Sequence, residues 1–422
     1  MSSIVVSGDT SGAVTLNAPT VAGTVTVTLP STTGTMLTTA STTGISGSAI
    51  SSGTVAEAYG GTGTTTGYYG FKNRIINGGM TIDQRNAGAL VSGALAGSYV
   101  LDRWKFWVNG GGGSAAYTVQ QSTISPAGFT NSIAITQTAS HSPITTQYNA
   151  IAQYIEGYNV ADFGWGEAGA TAVTLSFWVR SSLTGTFGGA VSNSSQARSY
   201  PFTYTISSAN TWEYKTITIP GDTTGTWIKN NGAGILLFWQ LGVGSTYLGT
   251  ATGAWQAATY LGATGATQIT ATNGATFYIT GVQLEKGATA TSFDYRPYGT
   301  ELQLCQRYFQ SFSYTGGTMI ATGSTFGTST GAIPFSFYFP MRTTPSTITL
   351  PAVGNTSGQW TVLTPAGGFP GTFGTITLNS AGQNNMRLNF DGYTGVYASS
   401  GQAAFLYACG STTTVVTASA EL

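Results

Sequence analysis

The sequence predicts an all-β protein, and three observations carry that expectation. Only 7% of the 422 residues are Asp, Glu, Lys or Arg, against roughly 25% in an ordinary soluble chain. Aromatic residues reach 12%, so the chain has the apolar bulk that disordered segments lack. Thr, Ser and 59 Gly residues surround short runs in which apolar and polar side chains alternate. Aromatic and β-branched residues suit a pleated surface, and Gly and Ser suit the turns between short strands.

Taken in order, residues 1–39 read as a short β segment. Ala13-Val14-Thr15-Leu16 and Gly23–Pro30 alternate. In the second run Val25, Val27 and Leu29 share one face and the threonines the other. Residues 40–70 are low-complexity and rich in Gly, Ser and Thr. They read either as a flexible linker or as an intertwined stalk with Ile45, Ile50 and Val55 on its axis. Residues 1–70 carry two charged groups, Asp9 and Glu57.

Residues 71–298 read as a main domain. Period-two runs at Thr171–Arg180, Pro201–Ile206, Trp212–Pro220, Gly234–Leu241 and Ala275–Leu284 predict a two-sheet sandwich, most simply a jelly roll. Residues 299–312 predict a connecting helix. Thr300 and Gln303 fit a capping box, and Leu302, Cys305 and Phe309 recur at helical spacing. Residues 313–422 return to β patterns with four charges, Arg342, Arg387, Asp391 and Glu421, and predict a second β domain.

The 14 basic and 14 acidic side chains balance, which argues against nucleic-acid binding. The sequence shows neither an apolar run long enough to span a bilayer nor a secretory leader at its start. Two cysteines, Cys305 and Cys409, cannot build a disulfide framework. A neutral β protein with open sheet edges tends to self-associate unless an assembly covers them. That favours an obligate oligomer.

A set of motifs then resembles a known group. Asn73-Arg74-Ile75-Ile76-Asn77-Gly78-Gly79-Met80, Ile82-Asp83-Gln84-Arg85 and Leu101-Asp102-Arg103-Trp104 resemble the start of a domain in bacteriophage tail-fibre and tail-associated proteins. Gly281–Gly287, Thr291–Tyr298 and Glu301–Phe309 resemble later segments of the same group, in the same order. Ala58-Tyr59-Gly60-Gly61-Thr62-Gly63 looks like a fibre junction, and Thr417–Leu422 like an ending of that group. Residues 1–39 look like a virion-attachment module. The resemblance implies a homotrimeric virion tail protein, assembled in the host cytoplasm, with a carbohydrate-binding-module-like jelly roll and a host-surface glycan as partner. Residues 1–39 would meet another tail or baseplate protein. A purely structural collar, head or baseplate fibre is the alternative, and a polysaccharide depolymerase a weaker one.

Seven of the 28 charges (14 basic plus 14 acidic) fall between Lys72 and Lys105. Asp83, Arg85, Asp102 and Arg103 are read as salt bridges that pin the start of the domain, and Glu285 and Arg296 as similar pairs at its exit. No catalytic residue is assigned and no cofactor is expected. Glu156, Asp162, Glu167, Glu213 and Asp222 are the acids a glycosidase would need, without a spacing that singles out any two. His141, the single histidine, lacks a nucleophile-elbow motif around it. No metal site is assigned, because zinc ligands and an Asp-rich calcium loop are missing from the pattern; calcium stays open. Sugar binding needs exposed rings. Trp165, Tyr247 and Trp255, in Gly-rich loop contexts, are the candidates, while Trp178, Trp212 and Trp239, in strand runs, are read as core.

Overall fold

The computed structural model describes residues 3–7, 13–17, 71–92, 97–109, 116–143, 145–363, 374–394 and 400–422. The expected strand at Gly23–Pro30 and the linker or stalk at 40–70 lie outside the described residues. Near the N-terminus β1 (Ser3–Ser7) and β2 (Ala13–Asn17) form an antiparallel hairpin, paired from Ser3↔Asn17 to Ser7↔Ala13. It belongs to a unit of its own, residues 1–53, separate from the unit at 54–422.

The second unit begins with a jelly-roll sandwich. Its strands are β3 (Val91–Ser92), β4 (Tyr99–Leu101), β5 (Trp104–Asn109), β6 (Ala116–Ser122), β7 (Ser132–Ala139), β8 (Tyr148–Glu156), β9 (Val173–Ser181) and β10 (Gly185–Asn193). They continue as β11 (Ser199–Ile206), β12 (Glu213–Ile219), β13 (Ala233–Val243), β14 (Leu248–Gly249), β15 (Gly262–Ala263) and β16 (Thr276–Lys286). One antiparallel sheet has the order β11-β10-β13-β8-β5-β4, the other β12-β9-β16-β7-β6-β3. The five strand runs read from the sequence fall on β9, β11, β12, β13 and β16, in a protein that is nearly all β.

Alternation explains how the sheets close on each other. In β9, Val173, Leu175, Phe177 and Val179 are fully buried against the facing sheet. Trp104 of β5 and Trp239 of β13 meet at 5.6 Å between ring centroids, and Phe177 packs edge-on against Trp239 at 5.7 Å. Removing a ring of this kind from a close-packed core costs about 3–5 kcal/mol.

A helix, α1 (Tyr298–Gln306), leads to the C-terminal β region. It is shorter than the sequence predicts. Its N-cap is Pro297, without a side-chain cap hydrogen bond, so the Thr300–Gln303 capping box does not form. Arg307 caps the helix with its backbone still in helical geometry, Tyr308 completes the turn, and Phe309 opens a strand. Pairing with the last strand of the protein overrides the helical spacing of Phe309.

The strands of the C-terminal region are β17 (Phe309–Tyr314), β18 (Met319–Thr325), β19 (Gly331–Ser336), β20 (Thr347–Thr349), β21 (Trp360–Leu363), β22 (Thr375–Ala381), β23 (Asn385–Asp391), β24 (Ala403–Ala408) and β25 (Thr414–Ser419). A three-stranded sheet, β17-β25-β20, accompanies a six-stranded one, β21-β24-β18-β19-β23-β22. Phe312, Phe335, Trp360, Leu388, Phe390, Leu406 and Val416 belong to a second core.

The two β regions are joined through buried charge. Glu421, next to last in the chain, receives Arg85 at 2.7 Å and also receives Arg103. Arg103 donates as well to the Tyr154 carbonyl and lies 3.6 Å over the Tyr308 ring. Arg307 forms a fork on Glu156 of β8, at 2.9 and 2.6 Å, which the Tyr308 hydroxyl joins at 2.6 Å. Arg342 donates to the carbonyls of Asn231 (2.6 Å), Ala420 (2.8 Å) and Glu421 (2.9 Å).

Glu421→Ala should therefore leave a buried guanidinium uncompensated and cost about 3 kcal/mol. Glu421→Gln, which keeps an acceptor, should cost less. Chemical denaturation of the three proteins checks this; a variant Glu421→Ala as stable as the parent contradicts it.

Candidate functional site

The first described segment of the sandwich unit explains its charge density. Asn77 is fully buried with φ 58°, a left-handed conformation that Asn tolerates better than most residues. Its side chain donates to the carbonyls of Ile82 (2.8 Å) and Asp102 (2.9 Å) and accepts from the Ile82 amide (3.0 Å). Its own carbonyl accepts the Trp104 indole at 2.9 Å. The hub aligns Asn73–Met80 with Asp102-Arg103, the two-residue turn between β4 and β5.

The charged residues singled out by sequence divide among different partners. Asp83 accepts the amides of Asn86 (3.0 Å) and Gly88 (2.8 Å) and shapes a turn. Arg85 and Arg103 share Glu421. Asp102 accepts the backbone amide and side-chain amide of Gln84, each at 2.7 Å. Gln84, an uncharged neighbour, takes the place of the expected cation. Burial pushes the Asp102 carboxyl up to about 7, against the opposing pull of Arg85 and the Gln84 hydrogen bonds.

Glu285 and Arg296 also separate. Glu285 accepts the Thr291 amide (2.9 Å), the Thr291 hydroxyl (2.6 Å) and the Gln283 side chain (2.8 Å). Arg296 bridges to Glu301 of α1 at 3.2 Å. Together these bonds hold residues 287–297 as a strap over β16, an interior strand of its sheet. The five acids considered for hydrolysis are each engaged by cations: Glu156 by Arg307, Asp162 by Arg74 and Lys286, Glu167 by Lys229, Glu213 by Lys215 and Asp222 by Arg198. Among the described residues no three His, Cys, Asp or Glu side chains cluster as a metal cage needs.

Trp165 is a correction. It is buried, donates its indole to the Thr171 carbonyl at 2.8 Å, and meets Trp227 at 4.7 Å and Trp255 at 5.2 Å, both edge-on. Glycines with positive φ on either side, Gly164 (65°) and Gly166 (86°), turn its loop inward. Trp255 is half-buried in the same cluster, tied to the Pro220 carbonyl at 2.7 Å. Tyr247 belongs elsewhere, edge-on to Tyr148 at 5.3 Å.

The exposed aromatic surface lies on the outer face of the sheet containing β9. Trp178, read from sequence as core, alternates with buried Phe177 and Val179 and points outward. Cross-strand pairing sets it against Tyr214 of β12 at 5.4 Å. Trp212 is half-buried, edge-on to Tyr278 at 6.2 Å, whereas Trp239 is core. Phe129 of the β6–β7 loop and Phe293 and Tyr295 of the strap stand beside Trp178, with centroids 4.9–5.5 Å apart. At the bulge in β16, Gly281 has φ 60°, and a Cβ there would come within 2.6 Å of Phe129 and 3.0 Å of Trp178. Bare backbone is what lets those rings converge.

These groups bound a cleft of about 590 Å³. Its described lining consists of aromatic and hydroxylic side chains with two alanines and Gly281, and contains no charged side chain. Tyr214 and Tyr295 are 43% and 61% exposed, so ring faces are available to a ligand.

No protein-family model matches the chain, and no curated protein matches it. Among solved structures it is similar to a family 4 carbohydrate-binding module (15% identity, 50% of this chain and 98% of that one, TM-score 0.27). It is similar to the enzymatically active domain of tailspike protein 4 of bacteriophage CBA120 (12% identity, 51% and 22%, TM-score 0.27). A third is a family 11 carbohydrate-binding module from Clostridium thermocellum in complex with a β-1,3-1,4-mixed-linked tetrasaccharide (10% identity, 48% and 98%, TM-score 0.25). Likenesses of this strength identify neither a family nor a ligand.

The raised Asp102 carboxyl has a thermodynamic consequence. The folded state holds this proton more tightly than the unfolded chain, whose carboxyl titrates near 3.8. Its contribution to stability is full at low pH and falls as pH rises from 3.8 toward 7. Asp102→Asn cannot ionise, so it should melt higher than the parent at about pH 8, with the difference closing by about pH 4. A parent–variant difference unchanged across that range contradicts a raised carboxyl.

Proposed function

We propose that this chain is a non-enzymatic recognition protein of a bacteriophage virion, and that it receives a neutral host-surface glycan in the Trp178–Tyr214 cleft. The carrying observation is the cleft's chemistry: ring faces for sugar CH groups, hydroxyls and backbone for hydrogen bonds, and no charge among its described lining. Concave, mostly apolar sites with a few polar groups are where small ligands bind. The ordered motifs from Asn73 to Leu422 support the phage setting. The engagement of all five candidate acids by cations supports binding without hydrolysis.

A single shallow cleft binds weakly. Three copies on one fibre would multiply its hold through effective concentration, and closed symmetry would also cover open sheet edges. The proposed assembly is therefore a homotrimer, attached to another tail protein through residues 1–39.

Immobilised neutral oligosaccharides should retain the full-length protein. Trp178→Ala should lower retention at least tenfold with an unchanged melting temperature, and Trp165→Ala should instead destabilise. If folded Trp178→Ala and Tyr214→Ala bind like the parent, the cleft is not the site. If the parent binds no glycan, a purely structural role is favoured. Light scattering should give three times the 43.4 kDa chain mass; a stable monomer at micromolar concentration contradicts the trimer.

A further inference from the structure

Beside the cleft is a second cavity of about 180 Å³. Phe129, Phe293 and Tyr295 wall both. The chemistry differs on the far side of those rings. The smaller cavity is lined there by Gly78, Gly79 and Thr81 of the first segment and by Asp294, Arg296 and Glu301.

The two glycines have different reasons to be glycine. A Cβ at Gly78 would lie 2.2 Å from the Val282 carbonyl oxygen, so packing against β16 demands bare backbone there. A Cβ at Gly79 would meet its nearest neighbours, Phe129, Phe293 and Thr81, at 3.9 Å. Gly79 also lies outside the left-handed region. Neither backbone geometry nor packing requires glycine at 79, and glycine carries an entropic cost in an ordered chain. Its effect is to keep space open beside the touching rings of Phe129 and Phe293, in a protein whose interior otherwise fills such space.

The polar side has an unused acceptor. Asp294 takes the Asn73 amide at 3.2 Å on one oxygen, with Arg296 Nε at 3.9 Å from that same oxygen. The other oxygen has no hydrogen-bond partner among the described residues. Arg296 gives its two terminal nitrogens to Glu301 and to the carbonyls of Asn73 and Ile75, and its Nε, which makes no hydrogen bond among the described residues, is buried out of a ligand's reach. Two carboxylates against one guanidinium leave the charged lining one negative charge in excess.

We propose that this cavity is an end-recognition subsite. It takes the terminal ring of a glycan whose other residues lie in the Trp178–Tyr214 cleft, and it selects neutral or amino-sugar termini over acidic ones. A ring hydroxyl or ammonium donates to the open Asp294 oxygen, and the ring's CH face lies against the aromatic wall that Phe129 and Phe293 form together. A terminal carboxylate would meet Asp294 and Glu301 with Arg296 already engaged. This rests on the glycan reading of the cleft.

The test uses the full chain on oligosaccharides printed through their reducing ends, with one common backbone and a terminal neutral hexose, hexosamine or uronic acid. The parent should bind the first two at least tenfold more tightly than the third. Gly79→Leu, which fills the space, should keep the parental melting temperature and lose at least tenfold in affinity, with Gly79→Ala losing less. Should Gly79→Leu fail to fold, Gly79→Ala decides, with an expected loss of at least threefold. Folded Gly79 variants that bind like the parent, or a preference for the uronic acid terminus, overturn the subsite. Binding that depends on Trp178 and ignores Gly79 removes the subsite alone. No binding by the parent, or binding unaffected by Trp178→Ala, removes both readings.

Discussion

The buried guanidinium of Arg103 is the constraint around which the sandwich unit is arranged. It sits in the turn between β4 and β5 with φ 69°, an unfavourable conformation for a side chain of its size. It is almost wholly inaccessible to water. A charge in that position needs a carboxylate and further acceptors, and it obtains them from Glu421, at the end of the chain, and from the Tyr154 carbonyl. The end of the C-terminal β region thereby completes the interior of the first. Replacing such a network whole by apolar groups is often neutral, but removing one member is costly. The arrangement therefore specifies how the two β regions meet more than it adds stability.

That economy of charge shapes the candidate site. With 28 charged side chains in 422 residues, several of those in the sandwich are spent on turns and on the strap. Asp83 closes a turn, Glu285 holds Thr291, and Arg296 ties the strap to α1. The strap in turn carries Phe293 and Tyr295 to Phe129. Ionic bonds at its roots set the position of an aromatic wall that is itself uncharged. The rigidity of that wall comes from the network, while its chemistry is free of it.

Much of the fold was legible because strand alternation is a local signal. β9 shows how far it reaches. Val173, Leu175, Phe177 and Val179 are one face, so Trp178 belongs with Ser176 and Arg180 on the other. That spacing already placed Trp178 outside the core, and reading large aromatics in strands as core obscured it. Trp165 failed for the opposite reason: Gly-rich flanks signal a turn without saying which way the turn points. The end of α1 was not legible because it is set by β25, more than a hundred residues later. The partners of Asp102 and Glu285 are uncharged side chains, and nothing in a charge pattern reveals an amide or a hydroxyl that will fill the role of a cation.

The two sheets of the sandwich are consequently not equivalent. The contacts that cations beyond α1 make with the sandwich fall on the β8 side: Arg307 meets Glu156 in β8, and Arg342 donates to the carbonyl of Asn231, which leads into β13. The Tyr99 hydroxyl of β4 donates to the Leu422 carbonyl at 2.9 Å. All of these belong to, or adjoin, the sheet opposite the one that carries Trp178 and Tyr214. One sheet is thus committed to holding the chain's own C-terminal region, and the other carries the exposed aromatic face. An oligomer built through the C-terminal region would carry its clefts on the far side of each sandwich. Avidity requires that geometry, since sites buried in the assembly could not engage a surface together. The division of labour originates in sequence. The cations that meet β8 lie in the helix–strand junction and in the β4–β5 turn, while the part of β9 and β12 that lines the cleft is Ser176, Trp178 and Tyr214.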